Sequence, residues 1–248
     1  AHLEYMLKDE HYAPIRENNE SIRQMCPLNP DSLNTVKELL DEMIDAHPGI
    51  KSIHIGGDEA RSLGKCPDCR EKKEKYGVSK LYIDYINSVC DYVCSKGLTP
   101  YIWDDMICAH PEALELLDKR IAIIYWDYWT IAKSSPYFVA RYDRNGEPAI
   151  AHDSRWDTEW LDELGDLEKS IMSVFSSGVT LEDNLGKRFM ELYGTWLGEE
   201  FPKRIKGYPY VDFYIDKGFK VVGAPTSLGN GDDYHTLPNY WRFIPNIR

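Results

Sequence analysis

The sequence predicts an α/β fold in which β-strands and α-helices alternate around a parallel sheet. Short apolar runs alternate several times with segments whose apolar residues recur at helical spacing, which is typical of strand–helix units. Proline and glycine stand at the expected helix starts and ends. With 248 residues, 43% hydrophobic and 28% charged, the chain has the composition of one globular domain.

Four helix–strand pairs follow from these patterns. Asn29-Pro30-Asp31 predicts a helix start, and His47-Pro48-Gly49 ends the same helix. The run at 121–126 is almost uninterruptedly apolar, as expected of a strand covered on both faces. In chain order the predicted pairs are 29–47 with 50–55, 79–95 with 99–103, 111–117 with 121–126, and 211–218 with 219–224.

The segment 130–209 is too long for an ordinary loop between a strand and a helix. Its parts 161–175 and 181–197 have helical patterns, so we expect a mostly helical insertion. Only four or five strand–helix units can be counted, whereas a closed (β/α)8 barrel has eight. The patterns therefore leave two folds open: a smaller open sheet, or part of a TIM barrel.

The net charge and the hydropathy of the sequence disfavour some classes of binding partner. The formal charge of −12 disfavours a polyanion such as nucleic acid, and an acidic surface suits a neutral or cationic substrate. No run of about 18 apolar residues occurs, so a membrane span is not expected. The sequence does not indicate an oligomeric state.

Six cysteines are present, and one pair has the spacing of metal ligands. Cys66-Pro67-Asp68-Cys69 can present two thiolates to zinc, with Cys26 as a third ligand. The alternative, which the sequence favours, is a loop with reduced cysteines. Cys90 and Cys94 stand one helical turn apart and are expected to be unpaired core thiols. Unpaired thiols are typical of a cytoplasmic protein.

The segment with the clearest chemistry is Ile53-His54-Ile55-Gly56-Gly57-Asp58-Glu59. Neighbouring side chains on a strand point to opposite faces, so Asp58 and Glu59 can share a site only where the strand breaks. Two glycines permit that break and a close approach of substrate to the backbone. Catalytic groups lie at such strand ends in TIM-barrel enzymes. The alternative is a glycine turn whose acids are merely solvated.

Aromatic residues cluster at the ends of the following strands. Trp103 precedes Asp104, and Trp126 precedes Asp127 and Tyr128. Sugar rings have apolar faces rimmed by hydroxyls, so flat aromatic side chains beside carboxylates suit a carbohydrate pocket. The alternative is that these tryptophans fill the core or its rim.

His54-x-Gly56-Gly57-Asp58-Glu59 resembles the catalytic signature of glycoside hydrolase family 20, the β-N-acetylhexosaminidases. The likeness spans nearly the whole chain and is greatest to the hexosaminidase D-like branch. It implies a TIM barrel represented by about strands three to seven, with the helical insertion after strand six. The strand ends that resemble the third, fifth, sixth and seventh strands of the family are His2-Leu3-Glu4, Trp103-Asp104-Asp105-Met106, Tyr125-Trp126-Asp127-Tyr128 and Val221-Val222-Gly223-Ala224-Pro225.

The resemblance also implies a mechanism, in which the acetamido oxygen of the substrate is the nucleophile of a retaining exo-hydrolase and no cofactor is needed. Glu59 is then the general acid and base, and Asp58 orients the acetamide. Terminal β-linked GlcNAc or GalNAc of glycans or glycosides is the implied substrate. The residues implied to bind it are His2, Glu4, Trp103, Asp104, Trp126 and Tyr128. His54 is expected to pack within the strand layer.

Three other readings remain. An ordinary glycosidase would use a distant second carboxylate, Asp104 or Asp127. A non-catalytic or degenerate carbohydrate-binding barrel would keep the pocket without turnover. A metal-dependent hydrolase is disfavoured because His54 and Asp58 are too few ligands for catalytic zinc.

Overall fold

The computed structural model describes residues 2–19, 21–60, 62–109, 114–126, 139–142, 148–151, 194–199 and 209–224. The described strands are β1 Arg16–Asn18, β2 Ser21–Met25, β3 Ser52–His54, β4 Thr99–Trp103, β5 Ala122–Trp126, β6 Val139–Tyr142, β7 Pro148–Ala151 and β8 Lys220–Ala224. The described α-helices are α1 Glu4–Leu7, α2 Pro30–Ala46, α3 Pro67–Ser95, α4 Asp105–Ala109 and α5 Pro209–Asp216, and 3-10 helices occupy Glu10–Ile15 and Gly194–Trp196.

A central sheet contains four strands in the order β3-β4-β5-β8. The pairs β3–β4 and β4–β5 are parallel, with Ser52 opposite Thr99 and Tyr101 opposite Ala122. The predicted α/β class with a parallel sheet is therefore confirmed, and all four predicted strands exist within a few residues of their expected positions. A closed barrel is not visible among the described residues.

Residue contacts divide the chain into two compact units, 1–124 with 218–222 and 125–217 with 223–248. In the first unit, α2 begins as predicted: the Asn29 side chain accepts a hydrogen bond from the Asp31 N–H at 2.9 Å, and Pro30 occupies the first turn. Leu40 of α2 packs with Ile53 of β3 and Val89 of α3. The two helices thereby cover one face of β3 and fix the position of its end.

Helix α3 begins at Pro67, well before the predicted start at 79. The prediction missed its first part because the polar residues 70–76 show no apolar periodicity. Cys66 caps it, accepting the Cys69 N–H on its sulfur at 3.4 Å. Gly77, with φ 85°, interrupts the helical backbone. The expectation that Cys66 and Cys69 lie in a loop was wrong, since both belong to a helix start.

The antiparallel hairpin β1–β2 was not predicted from the sequence. Its strands are short and mix charged with apolar residues, which leaves no clear alternation to detect. Met25 of β2 packs against Leu7 and Ile15, so this small cluster attaches the hairpin to the N-terminal segment.

In the second unit, β6 and β7 pair antiparallel, with Val139 opposite Ala151. Helix α5 confirms the helix predicted at 211–218, and its Phe213 packs edge-on against Trp196 with ring centroids 4.9 Å apart.

The segment 161–175 and most of 181–197 lie outside the described residues, so the helical insertion stays a prediction. Residues 111–113 of the short helix predicted at 111–117 also lie outside them, and the short helix that is described precedes this segment as α4.

None of the helices in the described ranges combines the length and apolarity needed to cross a lipid bilayer.

Candidate active site

The acid pair follows directly on β3, where the strand is broken. The Ile55 N–H donates to the Tyr101 carbonyl at 2.9 Å, and the Trp103 N–H donates to the Gly56 carbonyl at 3.1 Å, so pairing with β4 continues to Gly56. Gly56 and Gly57 then adopt φ 77° and φ 96°, which are accessible to glycine without steric cost. The break occurs where the sequence predicted it.

Asp58 and Glu59 converge on a single imidazole. Nε2 of His2 lies 3.0 Å from Oδ2 of Asp58 and 3.3 Å from Oε2 of Glu59. The two side chains are 20% and 26% exposed, so both remain accessible to a ligand from solvent. Adjacent acids that would point apart on a regular strand therefore share one site.

Backbone strain marks the same place. Within the described ranges, the non-glycine residues with positive φ are His2 at 66° and Glu59 at 47°, and these two are in contact. Such conformations cost about 1–2 kcal/mol each and are held by surrounding structure. Here the Glu59 N–H donates to Oδ2 of Asp105, at the start of α4, at 2.8 Å. Asp105 thus fixes the backbone that carries Glu59.

Arg23 of β2 lies beside both His2 and Glu59. Nη2 of Arg23 lies 3.4 Å from Nδ1 of His2, and a guanidinium can only donate. Nδ1 of His2 thus faces Arg23, and Nε2 faces both acids. Nη2 also lies 3.9 Å from Oε2 of Glu59.

Glu4 completes this group by accepting from Nε of Arg23 at 2.7 Å. Its own backbone N–H and then the guanidinium hold the pKa of Glu4 below its ordinary value. Exposed ion pairs of this kind contribute little to stability, so their main effect is orientation. The resemblance implied that Glu4 binds the sugar; in the structure Arg23, which sequence reasoning missed, contacts both Glu4 and His2.

Tyr82 of α3 is hydrogen-bonded to the turn formed by Gly56 and Gly57. Its hydroxyl donates to the Gly57 carbonyl at 3.0 Å. Burial, together with the charges of Asp105, Asp58 and Asp104, raises the pKa of Tyr82 well above its ordinary value, so the hydroxyl keeps its proton. A Cβ atom at Gly57 would lie 2.7 Å from this oxygen.

Gly57→Ala is therefore expected to destabilise the fold by about 2 kcal/mol or more, through the left-handed backbone and the displaced Tyr82. Urea unfolding measures this. Gly97→Ala is the matched control, because Gly97 has φ 76° but no atom within 4 Å of its added Cβ. Equal destabilisation by the two variants would show that the Tyr82 contact is unimportant.

His54 packs within the strand layer, as predicted. The Gly56 N–H donates to its Nδ1 at 2.9 Å, and the imidazole lies against Trp103 with ring centroids 4.5 Å apart. Burial lowers the pKa of His54, against the opposing effect of Asp58, so the ring is neutral near pH 7. Its Nε2 is buried and without a hydrogen-bond partner in the described part of the chain.

The remaining predicted sugar-binding residues are only partly placed. Asp104 is 3% exposed, and its neighbour Asp105, to which the sequence assigned no role, is the residue that reaches the Glu59 backbone. Trp126 ends β5. Asp127 and Tyr128 lie outside the described residues. The sugar-binding roles of Asp104, Trp126 and Tyr128 stay predictions.

A cavity of about 220 Å³ touches Gly56 and Gly57. Its walls are the glycine turn and apolar side chains of α2 and α3, and neither Asp58 nor Glu59 lines it. Its lining residues are Leu3, Gln24, Met25, Pro27, Val36, Ile55, Gly56, Gly57, Ala60, Leu63, Tyr82, Tyr85, Ile86 and Val89.

A second group of reactive side chains contains the three cysteines that the sequence offered as metal ligands. Sγ of Cys26 lies 3.6 Å from Sγ of Cys66 and 3.5 Å from Sγ of Cys69. Glu17, which sequence reasoning missed, joins them. Glu17 lies in β1, Cys26 directly follows β2, and Cys66 and Cys69 lie at the start of α3; none touches the acid pair in the described contacts.

Comparison with known proteins relates this chain to one protein family. Residues 4–150, more than half of the chain, match the family model described as glycosyl hydrolase family 20, catalytic domain. Human hexosaminidase D is 31% identical over 137 residues, which are 51% of this chain and 28% of the human protein. Bovine hexosaminidase D is 28% identical over 134 residues, 51% of this chain and 39% of the bovine protein. The chain thus spans less than half the length of these relatives.

Among solved structures, a β-N-acetylhexosaminidase from Bacteroides fragilis NCTC 9343 is 26% identical, with a TM-score of 0.38 over 47% of this chain and 24% of that one. Dispersin B is 22% identical, with a TM-score of 0.36 over 48% of this chain and 30% of that one.

Proposed function

Because this chain belongs to glycosyl hydrolase family 20, we propose that it supplies the catalytic centre of a retaining exo-β-N-acetylhexosaminidase. The proposed substrates are glycans or glycosides with a terminal β-linked N-acetylglucosamine or N-acetylgalactosamine. The observation that carries the proposal is the convergence of Asp58 and Glu59 on Nε2 of His2, at 3.0 and 3.3 Å, just after a parallel strand. The hexosaminidase D relatives support this substrate class.

The proposed fold is a TIM barrel of which β3, β4, β5 and β8 are the fourth to seventh strands, with a mostly helical insertion at 130–209. Their order in the sheet, β3-β4-β5-β8, supports it because neighbours in such a barrel follow chain order. The acids then lie at the carboxyl ends of the strands, where TIM barrels carry their active sites. In this assignment, His2 and Glu4 correspond to the end of the third barrel strand.

In the proposed mechanism, the nucleophile is the 2-acetamido oxygen of the substrate, which attacks the anomeric carbon as the glycosidic bond breaks. Asp58 accepts the acetamido N–H and stabilises the positive charge that develops on the cyclised acetamide. Nε2 of His2, 3.0 Å from Oδ2 of Asp58, holds this carboxylate in place.

Glu59 is the proposed general acid, which protonates the leaving oxygen, and then the general base, which takes a proton from the incoming water. Its backbone is held by Asp105 and its carboxylate by His2 and Arg23. Protonated Glu59 can release its hydrogen bond from His2 and turn toward the glycosidic oxygen, since its side chain is 26% exposed.

Trp103 and Trp126 are the proposed walls of the pocket for the acetamido methyl group. Trp103 is anchored at the active-site end of β4 by its backbone bond to Gly56 and by the ring of His54. An apolar wall of this kind favours the methyl group and gives selectivity for N-acetylated sugars. Asp104 and Tyr128 are proposed to bind sugar hydroxyls.

Hydrolysis of two aryl glycosides with the same aryl group tests the proposal. The full-length protein is expected to cleave the β-N-acetylglucosaminide at least about 1000-fold faster than the β-glucoside, because the glucoside lacks the intramolecular nucleophile. Comparable rates would favour an ordinary glycosidase with a distant carboxylate. Binding of the N-acetylated sugar without turnover would favour a non-catalytic carbohydrate-binding protein.

A further inference from the structure

Three cysteines and one glutamate form a compact, largely buried cluster. Glu17, Cys26 and Cys69 are buried and Cys66 is half-buried. The three sulfur atoms and one carboxylate oxygen all lie within 4.8 Å of one another. Two thiolates bound at about 2.3 Å to a tetrahedral ion are about 3.8 Å apart. The S···S distances of 3.5 and 3.6 Å are close to that spacing.

The backbone around the sulfurs is arranged to stabilise thiolates. The Cys69 N–H donates to Sγ of Cys66 at 3.4 Å, and the Asn29 N–H donates to the Cys26 carbonyl at 3.3 Å, so each of these two cysteines opens a turn. Both turns have the same opening, Cys26-Pro27 and Cys66-Pro67. Two cysteine-proline turns that bring their sulfur atoms within 3.6 Å of each other are suited to hold a soft cation.

Glu17 gives the second, independent indication. Its side chain is 0% exposed, and it has no ion pair with a cationic side chain in the described ranges. Oε1 accepts from the Lys65 N–H at 2.7 Å and the Cys66 N–H at 3.3 Å, whereas Oε2 is buried without a hydrogen-bond partner among the described residues. A buried carboxylate with one unsatisfied oxygen beside three thiols is costly unless a positive charge is present.

We propose that Glu17, Cys26, Cys66 and Cys69 bind one tetrahedral transition-metal ion, with zinc as the ion that fits this donor set. Three sulfurs and one carboxylate oxygen supply four ligands and leave no position for water, which is the arrangement of a structural site. Oε2 of Glu17 is the free oxygen available as the fourth ligand. The ion compensates the buried negative charge of the cluster.

The site would connect elements that are distant in the sequence. Glu17 and Cys26 belong to the hairpin β1–β2 and its end, whereas Cys66 and Cys69 start α3, seven residues after Glu59. The same hairpin carries Arg23, which contacts His2 and Glu59, and Gln24, whose side chain accepts the Ser62 N–H at 3.0 Å. The metal therefore ties the segment that follows the acid pair to the strand that positions it.

Metal analysis of the purified full-length protein, prepared under reducing conditions, tests the site. Elemental analysis by inductively coupled plasma mass spectrometry is expected to find about one zinc ion per chain. Cys69→Ser is expected to lose that zinc, and Glu17→Gln, which keeps the shape of the side chain, to weaken its retention. Cys94→Ser is the matched control, since Cys94 lies in the same helix with its sulfur 3.9 Å from Cys90, and it should keep the zinc.

A measurement on the unmodified protein covers the case in which Cys69→Ser fails to fold. Apoprotein prepared with a chelator is expected to unfold at a lower temperature and to bind one Co²⁺, with the thiolate charge-transfer and ligand-field absorption of a tetrahedral site. Absence of transition metal together with no cobalt absorption would overturn the proposal. A disulfide between Cys26 and either other cysteine in protein kept reduced, or equal zinc loss in Cys94→Ser, would overturn it as well.

Discussion

Asp58→Asn is expected to lower kcat for aryl N-acetylglucosaminides by about 10²–10³-fold, whatever the leaving group. The lost charge stabilises the cyclising acetamide in the transition state of every substrate, so the decrease does not depend on which leaving group departs. The Asn side chain can also present its NH₂ group to the acetamide, which misorients the nucleophile. A series of aryl leaving groups of different acidity measures the effect.

Asp41→Asn is the matched control for this variant. Asp41 binds Tyr92 and Lys96 and joins α2 to α3, so its change removes a structural carboxylate without touching the acid pair. It is expected to leave kcat unchanged. A steep new dependence on leaving-group acidity in Asp58→Asn would contradict its assigned role.

Glu59→Gln is expected to lower kcat by about 10²–10⁴-fold for alkyl or sugar leaving groups, and far less for an activated aryl group. A leaving group that departs as a stable anion needs no proton from the enzyme. Plotting rate against the pKa of the leaving group should therefore give a much steeper line for this variant than for the wild-type protein.

Glu10→Gln serves as the control, because Glu10 is highly exposed and its ion-pair partner among the described residues is Arg16. It is expected to behave as wild type. If Glu59→Gln and Asp58→Asn showed the same leaving-group dependence, the separate roles assigned to the two acids would be wrong.

The sequence predicted much of the sheet and of the catalytic turn because these depend on local patterns. Apolar runs located β3, β4, β5 and β8, and the capping residues of α2 located its start. The two glycines before Asp58 required a break in the strand, which the structure contains. Such features are decided by residues within one turn or strand, so neighbouring residues suffice to detect them.

The residues that the sequence did not reveal act across long separations. Arg23 reaches His2 from an unpredicted hairpin, Asp105 reaches the Glu59 backbone from another strand end, and Tyr82 reaches Gly57 from α3. None has a spacing that marks its role, because the contact depends on tertiary packing. Glu17 is similar: the cysteine spacing suggested a metal site, but only the fold brings this carboxylate to it.

The most direct test of substrate assistance is inhibition by the thiazoline analogue of N-acetylglucosamine, in which a stable ring imitates the cyclised acetamide. Full-length protein that hydrolyses the aryl N-acetylglucosaminide is expected to be inhibited competitively, with an inhibition constant well below the KM of the substrate. Asp58→Asn is expected to bind the analogue weakly, because it lacks the charge that faces the ring nitrogen. Normal hydrolysis of the glycoside without inhibition by the thiazoline would contradict the account and would assign the nucleophile to the enzyme instead of the substrate.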